Sequence, residues 1–146
     1  MSNRWERWEN TSFRIGIVVG VIILVIGAIA LWLYINRVSN YREKVENTQI
    51  QDLDISKIPN GIYTGDYDVG FIYVKVEVTV KDGSIVSIKL LEHKNEKGSS
   101  AENIISDIIR SQSLHVDAVS GATNSSTVIK KAVEIALKKA KYLSPD

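Results

Sequence analysis

Between Ile15 and Ile35 the chain runs for 21 residues without one charged side chain. At about 1.5 Å of rise per residue, a helix of that length spans roughly 31 Å, the thickness of a bilayer's hydrocarbon core. This run predicts a transmembrane helix over residues 15–36. Trp32 and Tyr34 sit near its end, as interfacial aromatics do, and Trp5 and Trp8 precede it beside Arg4, Arg7 and Arg14. A cleaved signal peptide is the competing reading, but its apolar region would be about 7–15 residues and would end in a small-x-small site. Leu31-Trp32-Leu33-Tyr34-Ile35 is bulky where cleavage needs small side chains, so a retained anchor is expected. Charge does not orient it: Arg4, Arg7 and Arg14 before the span are balanced by Arg37, Arg42 and Lys44 after it. Gly16 and Gly20 have the spacing of a helix-dimerisation face, and the frequency of Gly in membrane helices accounts for them equally well.

A span of this kind leaves a short tail, residues 1–14, and a polar remainder that must fold by itself. Residues 37–59 read as a polar connector whose first part, Tyr41 to Glu46, continues the membrane helix into water. Ile58-Pro59-Asn60-Gly61 breaks any helix and opens a domain over residues 60–146. From Val74 to Lys81 the alternation is strict. Val74, Val76, Val78 and Val80 share one face, and Lys75, Glu77, Thr79 and Lys81 the other, which predicts a strand with one buried side. Asp82-Gly83 supplies a hairpin turn with φ > 0, and Ser84 to His93 is expected to return as the partner with Val86, Ile88 and Leu90 on one face. Ile62 to Tyr67 is a third strand candidate.

Lys94 to Ser100, with Gly98, reads as a loop. Ala101, Ile104, Ile105, Ile108 and Ile109 then recur at helical spacing, and this helix is expected to pack on the valine face. A second apolar stripe runs through Val128, Ile129, Ala132, Val133, Ile135, Ala136 and Ala140, with Lys138, Lys139 and Lys141 as a solvated face near its end. Strands first and helices after predict an α+β fold, an antiparallel sheet with packed helices.

Composition narrows the chemistry. The net charge of +1 and the lack of a basic patch interleaved with aromatics point to no nucleic-acid partner. No Cys is present, which removes disulfides, thiolate metal sites and thiol catalysis. The two His residues, His93 and His115, are too few for a His-rich metal centre. No Gly-rich dinucleotide fingerprint, phosphate-loop Lys, catalytic triad or paired-carboxylate constellation stands in the sequence.

The segment Asp117-Ala118-Val119-Ser120-Gly121-Ala122-Thr123-Asn124-Ser125-Ser126 is what remains. Ser120, Thr123, Ser125 and Ser126 crowd around a Gly just before the second helix. By composition this is a helix cap in a turn, since Ser, Thr and Asn are the usual caps. Helix starts also expose unpaired N–H groups at a positive dipole end, so the same loop suits a phosphate.

Ser120-Gly121-Ala122-Thr123, with Asp117 before it and Ser125-Ser126 after, resembles the flavinylation motif of FMN-binding domains. Such domains occur in the C and G subunits of sodium-pumping NADH:quinone oxidoreductase and Rnf-type complexes, and in small membrane-anchored flavoproteins. Asn60 to Gly65, Val78 to Ile85, Leu90-Leu91-Glu92-His93 and Ser111-Gln112-Ser113 are similar to the family in the same order, over roughly residues 60 to 141. The large redox complexes carry a Gly-Tyr-x-Gly-Pro segment near the second strand, whereas this chain has Val69-Gly70-Phe71-Ile72-Tyr73 and no Pro there.

The resemblance implies FMN joined through a phosphoester to Thr123 by a separate flavin transferase. It implies that Ser120, Gly121 and Ala122 complete the motif, that Asp117 braces the loop by accepting backbone N–H bonds or aids the transferase, and that Ser125 and Ser126 reach the phosphate or cap the helix. His93 and Gln112 are candidate neighbours of the isoalloxazine ring. Related single-span members expose the flavin domain outside the cytoplasm, which sets residues 1–14 inside and 37–146 outside. The implied function is electron carriage between a membrane donor, such as a quinone-linked dehydrogenase, and an acceptor beyond the membrane. The alternative is a non-redox ligand-binding or interaction module of the same fold, with Thr123 unmodified.

Overall fold

In the computed structural model the described residues are 4–94 and 99–143, with side chains described over 13–94 and 100–140. Trp5, Trp8, Arg4, Arg7, Gly98 and Lys141, which enter the sequence reading through their side chains or turn geometry, lie outside the described residues or side chains. The chain divides into two compact units, Met1–Asn40 and Tyr41–Asp146.

The apolar run lies within one helix, α1 (Arg4–Glu46), which is long and apolar enough to cross a membrane. Every described side chain from Phe13 to Arg37 is exposed. The helix does continue through Tyr41 to Glu46, as expected from the sequence.

The second unit is built on a sheet of three antiparallel strands in the order β1 (Gly61–Asp68), β2 (Tyr73–Lys81), β3 (Ser84–Lys94). The valines of β2 are 0–1 % exposed, as their alternation requires. Gly65 lies opposite Val76 and therefore on the same face, and a Cβ at Gly65 would run into the backbone of Ala132 and Ala136. The helix against the valine face is thus α3 (Thr123–Leu143), which covers β1 and β2. The sequence reading gave that place to the earlier helix. That helix, α2 (Ile104–Ser111), packs beside β3, and it follows a 3₁₀ turn (Ser99–Asn103). At Gly65 the backbones of β1 and α3 approach too closely for a side chain, and Ala132 and Ala136 form the helix side of that seam.

β3 departs from the expected alternation. Val86 is half exposed, and Ile85 and Ile88 are the buried pair. The register explains this: Val80 faces Ile85 but Val78 faces Ile88, so one extra residue bulges out of β3, and a second irregularity falls at Leu91. Each bulge resets which side chains face inward and pushes one apolar residue, Val86 or Leu91, toward solvent. The turn between β2 and β3 has φ of +50° at Asp82 and +71° at Gly83, the two left-handed positions of a type I′ hairpin.

The connector, from Tyr41 in the last turns of α1 through Pro59, is not a free tether. Val45, Ile55 and Ile58 are buried in the core, with Tyr41, Ile50 and Leu53 packed against it. Its polar groups dock on α3. The carboxylate of Glu134, fully buried, accepts from the Gln51 N–H at 3.2 Å and pairs with Lys131 at 2.9 Å and Lys138 at 2.6 Å. Lys131 also donates to the Gln49 carbonyl, and Lys138 to the Gln51 side chain. Lys138 is therefore a clamp rather than a solvated charge. Burial alone would push the Glu134 carboxyl up, but the bonds from Lys138, Lys131 and Gln51 outweigh it and hold its pKa below the ordinary value. On the same helix Leu137 is buried where the sequence stripe had Ile135, which is only partly covered.

Candidate functional site

The hydroxyl-rich segment folds as a tight turn feeding straight into α3. The Ala122 N–H donates to the Val119 carbonyl at 2.9 Å, closing a turn around Ser120 and Gly121. Gly121 sits at φ +77°, the third position of a type II turn, where an L side chain is strained. Among the described residues, no atom beyond its chain neighbours lies within 4 Å of where its Cβ would be, so the ground above it is open. Ser126 is buried, and its hydroxyl accepts the Val119 N–H at 3.1 Å, lashing the turn to the first helical turn. Ser125 is buried beside it. Neither serine therefore caps the helix start.

That start falls at Thr123 itself. The Ser126 N–H bonds the Ala122 carbonyl at 2.9 Å, which puts Ala122, 5 % exposed, in the capping position. Alanine has no side-chain acceptor for the first-turn donors. Among the described residues no side chain bonds the N–H of Thr123, Asn124 or Ser125. A helix of 21 residues thus presents unpaired donors and the positive end of its dipole beside the exposed side chains of Ser120 and Thr123. The composition reading of a cap fails here, because the residue at the cap is the one small residue of the motif that cannot perform it.

Asp117 is exposed and accepts no backbone N–H among the described residues; its charge lies near Lys130. Burial lowers the Lys130 pKa, Asp117 opposes that shift, and the Lys130 amine donates to the Val116 carbonyl at 3.0 Å. The carboxylate that braces this loop belongs instead to Asp52, which accepts the Ser113 hydroxyl at 3.0 Å and the Leu114 N–H at 3.3 Å. Nothing in the sequence marked Asp52, since the contact joins segments about sixty residues apart.

The two candidate ring neighbours part company. The Gln112 amide accepts the Ile85 N–H at 2.7 Å and donates to the Ile85 carbonyl at 2.9 Å, and its second donor goes to Ile109 at 2.6 Å. It thereby pairs with the free edge of β3 as a further strand would, from a left-handed position at φ +53° that ends α2. Its amide is fully used. His93 faces inward at the other end of β3, opposite Val74, with its ring 4 % exposed and its Nδ1 3.1 Å from the Glu102 carboxylate. Its Nε2 has no partner among the described residues. At about 3.3 Å per residue, Ile85 and His93 lie on the order of 25 Å apart, so Gln112 and His93 do not border one ring.

Residues 70–138 match the model of the FMN-binding domain family. This chain carries a domain of that family. No solved structure matches the chain. The matched stretch begins just after β1 and includes β2, β3, α2 and the whole turn before Thr123. The donor set there suits FMN: an exposed hydroxyl for its phosphate, unpaired N–H groups at a helix start, and no Cβ to crowd the approach at Gly121.

An aromatic wall that the sequence reading left out stands beside this helix start. The Asn124 amide donates to the Tyr41 hydroxyl at 2.9 Å, and the Tyr41 ring meets Phe71 edge to face at 5.4 Å and 81°. Phe71 belongs to the turn between β1 and β2, the end of the sheet at which His93 leaves β3. His93 and the start of α3 therefore lie toward the same end of the FMN-binding domain, and Gln112 at the other.

Proposed function

We propose that this FMN-binding domain carries its cofactor as a phosphoester on Thr123 and works as a membrane-anchored electron carrier. One observation carries the reading: the exposed Thr123 hydroxyl stands at an uncapped helix start, behind an open Gly121 turn, inside a matched FMN-binding domain. The transferase would join the Thr123 Oγ to the flavin phosphate by displacing the leaving group of an activated flavin-phosphate donor, the hydroxyl proton leaving as the new P–O bond replaces the old one, so that the chain gains FMN less one water. The first-turn N–H groups then face the phosphate oxygens. Ser120, Gly121 and Ala122 give a flavin transferase a small-residue approach, and the exposed Asp117 adds a charge for its recognition. Ser126 acts from below by fixing the turn, with Ser125 buried beside it, Gln112 acts at a distance by holding the loop to β3, and His93, buried toward the same end of the sheet as the start of α3, is the nearer of the two candidates to the ring. Bound FMN supplies reversible electron uptake, which the protein positions and tunes.

In this reading residues 1–14 lie in the cytoplasm, 15–36 cross the membrane, 37–59 lead out and 60–146 carry the flavin outside. Electrons arrive from a membrane donor such as a quinone-linked dehydrogenase, and anchoring in the same bilayer raises the donor's effective concentration. Intact-mass measurement after co-expression with a flavin transferase tests the attachment. The full chain gains FMN less one water, and Thr123→Ala does not. An unmodified wild-type mass under those conditions overturns the reading and favours a non-redox module.

A further inference from the structure

We propose that Tyr41, on the helix that leaves the apolar span, forms one wall of the seat for the isoalloxazine ring and positions the attachment turn. The inference rests on the reading of Thr123 as the attachment point, and it concerns a residue outside the matched stretch. Tyr41 and Phe71 are both half buried, so each side chain keeps some exposed surface. Phe71 is presented rather than packed. Its neighbours Val69 and Ile72 are 2 % and 5 % exposed and take the core positions of the turn. The turn is held by the Val69 N–H to the Ile72 carbonyl at 3.0 Å and by the Gly70 N–H to the Asp68 carboxylate at 2.7 Å. Gly70 at φ +97° is the conformation that lifts Phe71 out of the β1–β2 ladder.

Tyr41 is fixed from both sides, by Phe71 at its ring and by Asn124 at its hydroxyl. Asn124 adjoins Thr123, so a flavin tethered at Thr123 starts one residue from this wall. An isoalloxazine ring is a large flat aromatic, and aromatic faces and edges are the surfaces it packs on. The bond from Asn124 also fixes the helix start, so Tyr41 orients the tether as well as shielding the ring.

Iodide quenching of flavin emission tests this on the full chain in detergent micelles, loaded with FMN by co-expression with a flavin transferase. Tyr41→Leu keeps the FMN mass and raises the iodide quenching constant about twofold, because a ring shielded on one face becomes accessible on both. Tyr41→Phe keeps the ring and loses only the bond to Asn124, so its quenching constant falls between those of the wild type and Tyr41→Leu. Phe71→Leu examines the other ring with the same readout, so the result does not hang on one variant. Iodide quenching unchanged in both loaded leucine variants overturns the role of Tyr41 and leaves Thr123 attachment standing. A wild-type chain without FMN on Thr123 takes down both.

Discussion

Gly65→Ala examines the seam on which the site is built. A Cβ at Gly65 would sit 2.5 Å from the Ala136 N and 3.0 Å from its Cα, and closer still to the Ala132 carbonyl. Non-bonded heavy atoms rest about 3.5–4.0 Å apart, so β1 and α3 must separate by roughly 1 Å. All three obstructing atoms are backbone, and no rotamer relieves them. Overpacking of this kind costs about 1–3 kcal/mol, and a backbone-against-backbone clash belongs at the upper end, near 3 kcal/mol. For a domain of about 100 residues that lowers Tm by roughly 12–24 °C. Gly61→Ala is the control. Its Cβ would meet only the hydroxyl end of Tyr63, which can swing away at the cost of its bond to the Pro59 carbonyl, about 0.5–1.5 kcal/mol. Pulse proteolysis in urea suits the comparison, because all three Trp residues lie in the N-terminal segment and tryptophan emission would not report on this domain. The reasoning fails if Gly65→Ala stays within about 0.5 kcal/mol of wild type or costs no more than Gly61→Ala.

Other outcomes follow from the clamps and the span. Because the Glu134 carboxyl titrates below its ordinary value of 4.5 in the folded chain, its contribution is fully present above that pH and is lost as pH falls through the lower folded value. Glu134→Gln should cost about 1–3 kcal/mol near neutral pH and flatten the acid limb of the stability curve; an unchanged acid limb would refute this. Gln112→Ala should remove both bonds to Ile85 and speed exchange of the Ile85 amide by about tenfold or more, measured by hydrogen–deuterium exchange, while leaving a Thr123 flavin attached. Protease added to intact cells should cleave within residues 37–146; a domain that survives shaving contradicts its placement outside the cytoplasm.

Much of the fold was legible because it depends on local patterns. The valine alternation of β2, the Asp82-Gly83 turn and the continuation of α1 past Ile35 all stand as their residues predict. The bulges at Val86 and Leu91 were not legible, since a skipped register leaves no mark in a run of β-branched and apolar residues. Which helix covers the sheet was equally hidden. Two apolar stripes look alike in sequence, and the choice came from the fit of Gly65 against Ala132 and Ala136.

For the site the division is similar. The sequence determined that Thr123 is the hydroxyl beside a small-residue turn, because a family motif is a string and a string needs no fold to be read. It also determined that one helix is long and apolar enough to cross a membrane, because a long uncharged run is a matter of length and solvation alone. Only the tertiary structure decided that Ala122 takes the cap position and leaves the helix start unpaired, that Asp52 rather than Asp117 braces the loop, and that Gln112 is consumed by the edge of β3. Only the tertiary structure brought Tyr41 to Asn124 across more than eighty residues. Hydrogen-bond capacity is spent on whichever partner the packing brings within about 3 Å, and packing distance is not written in sequence separation.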